Sequence, residues 1–425
     1  MSLLSVGVDV ERLLSELETL AGFSDAASPA VTRVLWTEQD IAAHRYLSEL
    51  FEEAGLAVRV DALGNTFARW TGTDPDAAPV GTGSHADAIP ESGRYDGTVG
   101  VLGALEAFRA LKRAGFVPHR PLEILLFTAE EPTRFGIGCL GSRVLSGAMP
   151  PENAGALADK DGRTVDTVRQ EAGFRGSLQS VPLPNGYYAA FAELHIEQGP
   201  ILEKEKWDIG VVTAIAAPAA LRVTLTGEGG HAGAVLMPDR RDALLAAAEI
   251  ALAVEQAAKG SGHPDTVATT GVLRVFPGAV NSIPGRVEME IDVRDTDLSR
   301  RDHAVKQIRE AVAERAGERK IESSVVVLNA DPPAICAPAI VRAVEAASKG
   351  LGFSCRPMIS RAYHDTLFMA RIAPAGMIFI PCRNGVSHRP DEYCAPAQME
   401  KGVAVLAQTL ATLSQRESRV DDAAP

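Results

Sequence analysis

The sequence predicts an α/β protein: a large α/β domain built from both ends of the chain, carrying a smaller inserted α+β domain. Three observations predict it. Short apolar runs of strand length alternate with helical patterns on both sides of the middle. The stretch from 216 to 328 is self-contained, reading strand, helix, two strands, helix, strand. Ala217-Pro218 opens that stretch and Asp331-Pro332-Pro333 closes it, which is linker chemistry at both ends. The expected division is 1–215 with 329–425 for the large domain and 216–328 for the insert.

In chain order, the first twenty residues place acids among leucines and read as an amphipathic helix. Residues 40–54 repeat apolar positions at helical spacing and stop at Gly55. AVRVDALGNTFARW reads as two strands about a turn at Gly64-Asn65, and PVGTGSHADAIP as a strand entering a polar loop. GTVGVLGALEAFRALKRAG is a long helix ending at Gly115, and RPLEILLFTAEE is the next strand. In the insert, LRVTLTGEG, TVATTGVLRVFPG, RVEMEIDVRD and IESSVVVLN are the strands. RRDALLAAAEIALAVEQAAK and RRDHAVKQIREAVAERAG are its helices. The tail SRVDDAAP reads as disordered.

Composition narrows the function. With 46% hydrophobic and 23% charged residues the chain is of ordinary globular type. A net charge of −13 with no basic run argues against nucleic acid and against an anionic membrane surface. The start of the chain lacks a basic segment followed by an apolar one, so export is not expected. No run is long and apolar enough to cross a bilayer. The five cysteines form no CxxC pair, which fits free thiols in a reducing cytoplasm.

Histidines and acids gather where strand-like runs end. The segment FTAEEPTRFG sets Glu130 beside Glu131 just after a buried run, where two like charges are costly unless a cation answers them. SHADAIPESGRYDG holds His85, Asp87 and Asp96; ELHIEQGP holds His195, Glu197 and Gln198; GVSHRPDE holds His388 and Glu392. Taken singly, each is open to a plainer reading: a solvated loop, a hydrogen-bonded histidine, a helix cap. Together, imidazoles and carboxylates without a thiol form a mixed N/O set suited to zinc or manganese.

These motifs, in this order and spacing, resemble the dinuclear-metal aminoacylase/exopeptidase superfamily. The resemblance is to its branch of ureido-group amidohydrolases, which act on allantoate, ureidoglycolate and N-carbamoyl-L-amino acids. It runs from the helix near residue 40 to the last helix. It implies that His85 and His195 bind one divalent ion, Glu131 and His388 another, and that Asp96 bridges them. Asp87 would take the second N–H of His85. Glu130 would be the general base, passing a proton from water to the leaving nitrogen. In the insert, His231 would stabilise the oxyanion, and Asn281 and Arg294 would hold the substrate, Arg294 by its carboxylate. Gln198 would line the same pocket. The resemblance also implies a homodimer through the insert, which would act as a lid.

Departures from the branch bear on the substrate. The insert has HAGAVLMP where carbamoylases usually have His-Ala-Gly-Thr-Thr-Pro-Met, and Tyr363 stands before His364 where many members have glycine. A tyrosine fills space and offers a hydroxyl, favouring a short, hydroxylated substrate. The stretches IGVVTAIAAPA, HAGAVLMPDRRDALLAAAEIALAVE and SRAYHDTLFMARIAPAGMIFIPC look closest to ureidoglycolate amidohydrolases. That implies conversion of (S)-ureidoglycolate to glyoxylate, ammonia and carbon dioxide in purine breakdown, with two Mn2+ ions preferred and Zn2+ as the other candidate. Tyr363 and His364 would line the pocket. The nearest alternative is action on allantoate or an N-carbamoyl-L-amino acid; a dipeptidase is a remote one.

Overall fold

All six residues of Leu122–Phe127 are buried, and they divide between two cores. Leu122, Ile124 and Leu126 join one hydrophobic cluster, Leu125 and Phe127 another. Side chains alternate along a strand, so burial of successive residues in two cores means that both faces are covered. In this computed structural model, which describes residue 4 and residues 6–415, the chain forms two units. The first runs to Thr213 and includes Cys336–Met358 and the chain from His364 on; the second is Ala214–Ile335 with Ile359–Tyr363. The expected insert, 216–328, lies wholly within the second unit, which extends further to Ile335 and takes in the short segment ending at Tyr363. The tail read as disordered lies outside the described residues.

The sheet of the first unit runs Ala57–Val60, Thr66–Trp70, Leu122–Phe127, Val80–His85, Ala190–Ile196, Ala375–Ile380, Ile209–Ile215. The middle four strands are mutually parallel. Helices Val10–Gly22, Glu38–Glu53, Thr98–Arg113, Pro338–Gly350 and Pro396–Leu413 supply apolar residues to one core. The first helix starts at Val10, capped by the Asp9 side chain, which accepts the N–H of Arg12. A short antiparallel pair, Val31–Arg33 with Ala88–Ser92, was not foreseen; Pro90 and a left-handed Glu91 obscure any strand pattern there.

The second unit is a four-stranded antiparallel sheet in the order Val267–Phe276, Arg286–Asp295, Ala217–Thr226, Glu322–Ala330. Helices Ala243–Gly260 and Leu298–Glu318 contribute to its core with Leu221, Val223, Val287, Met289 and Ile291. Arg286–Asp295 alternates between buried and less buried residues, the pattern of a sheet covered on one face. No helix among the described residues is long and apolar enough to cross a membrane.

Candidate functional site

Sheet register assembles the site of the first unit. His85 lies opposite Phe127, and Ile196 opposite Ile380, on neighbouring parallel strands. Four strand ends therefore share one edge, the place where parallel sheets carry chemistry. The connections beyond them hold Asp87 and Asp96, Glu130 and Glu131, Gln198, and His388. Non-glycine residues in the left-handed region occur here: Ala129 and Cys139 after Phe127, Gln198 after Ile196 and His388 after Ile380, with φ of 54°, 55°, 55° and 58°. Such strain persists where the surroundings enforce it, and it gathers at functional sites.

Asp96 is the hub. Its Oδ1 lies 3.1 Å from Nε2 of His195 and 3.7 Å from Nε2 of His85. Its Oδ2 lies 3.1 Å from Nε2 of His388, which in turn is 3.3 Å from Oε1 of Glu131. The donor atoms of His85, Asp96 and His195 fall within 4.8 Å of one another, as do those of Asp96, Glu131 and His388. Each group offers imidazole nitrogen and carboxylate oxygen, a donor set that fits a divalent metal ion. Gly97 lets the hub approach: a Cβ there would stand 2.4 Å from Nε2 of His85, and its φ of 65° suits glycine.

Burial opposes charge on Asp96, yet contacts with His195, His388 and His85 hold its carboxyl well below the usual range. The carboxylates of Asp96 and Glu131 raise His388 to about 11. Burial raises Glu130 well above its ordinary value; His85 opposes the shift and Glu131 adds to it. The adjacent acids thus differ in surroundings. Glu131 reaches His388, whereas Oε2 of Glu130 stands 3.8 Å from Nε2 of His85 and Oε1 faces the Cys139 thiol at 3.5 Å.

Asp87 faces both His85 and the adjacent acids. Nδ1 of His85 lies 3.1 Å from the main-chain carbonyl of Asp87 and 3.4 Å from its Oδ1. The Asp87 carboxylate also accepts the backbone N–H groups of Glu130 and Glu131. Gln198 donates to Oδ2 of Asp96 at 2.7 Å. His364 is buried, its ring 4.5 Å from that of His195.

The second unit holds the remaining candidates. His231 pairs with Ser282 across two short strands, its Nδ1 accepts the N–H of Gly233, and neighbouring Asn281 accepts the N–H of Ala232 through its carbonyl. Arg294 donates Nε and Nη2 to the two oxygens of Asp292 at 2.7 and 3.2 Å, and its guanidinium stands 5.9 Å from the ring of Tyr363. The fork expected to take a substrate carboxylate is engaged by a carboxylate of the same strand.

Two roles went unread in the sequence. Glu392 is buried, and its Oε1 accepts the N–H groups of Tyr95 and Asp96 at 2.8 and 3.1 Å, so it braces the hub. Burial, with Asp96 nearby, raises it to about 7. Glu193 lies fully buried two residues before His195. An acid inside an apolar strand is the signal that marks it.

The chain is 54% identical to the ureidoglycolate hydrolase of Arabidopsis thaliana over 417 residues, spanning 96% of this chain and 88% of the relative. It is 34% identical to the allantoate amidohydrolase of Bacillus subtilis, spanning 94% and 96%. Crystal structures of AtUAH in complex with (S)-hydroxyglycine and with glyoxylate match with TM-scores of 0.89, at 53% and 54% identity, spanning 96% of this chain and 99% of those. Residues 81–412, which hold every candidate metal ligand, match the model of peptidase family M20/M25/M40, and the chain belongs to that family.

Proposed function

We propose that this protein is a metal-dependent amidohydrolase that cleaves the ureido group of (S)-ureidoglycolate, yielding glyoxylate, ammonia and carbon dioxide. The observation that carries the reading is the division of Asp96: one oxygen faces His85 and His195, the other His388, with Glu130 flanking the pair. The choice of ureide rests on similarity to the Arabidopsis ureidoglycolate hydrolase and to structures described with (S)-hydroxyglycine and glyoxylate.

His85, His195 and one oxygen of Asp96 would hold one divalent ion, and His388, Glu131 and the other oxygen a second, with Mn2+ preferred over Zn2+. Ions held there supply Lewis acidity and lower the pKa of water. Glu130, desolvated and beside Glu131, is suited to accept a proton at this edge and return it to the leaving nitrogen. Gln198 orients Asp96. Arg294 and Tyr363 would receive the carboxylate and hydroxyl, Asn281 other polar groups, and His231 the developing oxyanion. Pairing of two chains through the second unit, a lid motion of it, and a cytoplasmic setting belong to the same reading.

The test is release of ammonia from ureidoglycolate, allantoate and N-carbamoylalanine by chelated protein with Mn2+ or Zn2+ restored. Atom balance gives two ammonia per glyoxylate from ureidoglycolate. Preference for another ureide would move the substrate to a sister reaction, and metal-independent turnover would remove the mechanism.

A further inference from the structure

Glu193 is a buried carboxylate that the mechanism above does not use. It sits within the strand Ala190–Ile196, on the same face as His195 two residues later. Its Oε1 accepts the hydroxyl of Ser84 at 2.7 Å. Its Oε2 accepts the hydroxyl and backbone N–H of Thr366 at 2.5 and 3.2 Å. Ser84 directly precedes His85, and Thr366 follows His364 by two. One carboxylate thus ties together the segments that carry His85, His195 and His364.

The residues around His364 divide the work. The His364 ring stands 4.5 Å from that of His195 and 5.7 Å, edge-on, from that of Phe379. Asp365 accepts the hydroxyl of Ser142 at 2.5 Å, in the helix Leu140–Leu145 that follows the Glu130 connection. Thr366 is bound to Glu193. Donor atoms of Glu193, His195 and His364 lie within 4.8 Å of one another. This trio could be taken for a further metal group, but the oxygens of Glu193 already accept from two hydroxyls and an amide. A buried acid so placed fixes its neighbours' geometry at the cost of its own desolvation.

We propose that Glu193, through Thr366, is a positioning residue for His364, holding that imidazole against His195 so that it can meet the substrate. This rests on the proposed function only in taking His364 to line the substrate pocket beside Tyr363, as the family resemblance implies. Two variants keep the shape. In Glu193→Gln the amide oxygen can still accept from the Thr366 N–H, and the Ser84 hydroxyl can turn to accept from the amide nitrogen. Thr366→Val removes the hydroxyl donor alone.

The test is a cycle of Glu193→Gln, His364→Asn and the double variant, all loaded with diamagnetic Zn2+. Glyoxylate affinity is read by calorimetry, and the His364 imidazole by 15N NMR, assigned through its loss in His364→Asn. We expect Glu193→Gln and Thr366→Val to keep wild-type metal content and melting within a few degrees. Both should move the His364 resonance, and Glu193→Gln should weaken glyoxylate about tenfold. In the His364→Asn background Glu193→Gln should then weaken it no further. An unmoved His364 resonance in Glu193→Gln overturns the proposal whether or not glyoxylate binds. So do effects that multiply in the double variant, or metal loss with the resonance unchanged, which would place the role at His195. If the wild type turns over no ureide, the functional reading fails, while the resonance still decides the positioning.

Discussion

The carboxylate of Asp87 holds the backbone of Glu131, accepting its N–H through Oδ2 at 2.9 Å, while Oδ1 accepts that of Glu130 at 3.1 Å. Both N–H groups are thereby aimed at one anion, and the glutamate side chains are left to face the site. Asparagine can accept only one of them and would turn its own donors toward the other. A buried donor left unmet costs about 1–3 kcal/mol. We expect Asp87→Asn to lower the melting temperature and to reduce turnover by about two decades through displacement of both glutamates. Turnover and melting equal to wild type would remove this clamp from the mechanism.

Asp96 answers His85 and His195 with one oxygen and His388 with the other. Asp96→Ala deletes the only carboxylate common to both donor groups. The variant should lose metal from both positions after dialysis. Two full equivalents by elemental analysis would sink the hub assignment.

Glu130→Gln keeps the shape of the side chain and removes its capacity to take a proton. Metal content and KM should hold, while kcat falls by about two to four decades, the usual worth of a positioned acid or base. Near-normal kcat would return the Glu130–Glu131 pair to a structural role.

Legibility in the sequence followed the physics of each element. Apart from Glu123, LEILLF is apolar because its strand is covered on both faces, and RVEMEIDVRD alternates because its sheet packs helices on one face. The residues now at the hub, His85, Asp96, Glu131, His195 and His388, could be picked out since each stands at the end of a strand-like run or in the connection beyond it. The Asp87 clamp could not, because a backbone N–H leaves no mark in the sequence. Glu193 is a single acid in an apolar strand, and Glu392 near His388 has no spacing that marks a brace. The Arg294–Asp292 pair was within reach, as residues two apart on a strand share a face. The sequence offers Arg294 two partners, Asp292 in its own strand and a substrate carboxylate, and does not rank them.

Arg294 and Tyr363 offer the sharpest test of substrate choice. The guanidinium is held in plane by both oxygens of Asp292 and stands 5.9 Å from the Tyr363 ring. Lysine has no planar fork and could not span two oxygens in the same way. Arg294→Lys should therefore raise KM for ureidoglycolate about tenfold, the scale of one lost charge-assisted hydrogen bond, and leave bound metal unchanged. Tyr363→Gly removes a ring and its hydroxyl together. On the proposed role of Tyr363, activity on the short hydroxylated substrate should fall, and a larger ureide such as an N-carbamoyl amino acid should gain relative to it. The two variants thus differ in kind, since the first weakens every carboxylate substrate while the second reorders them. Relative rates across the panel that stay fixed in Tyr363→Gly would show that the tyrosine does not choose the substrate. The preference for ureidoglycolate would then have to come from other residues of the pocket.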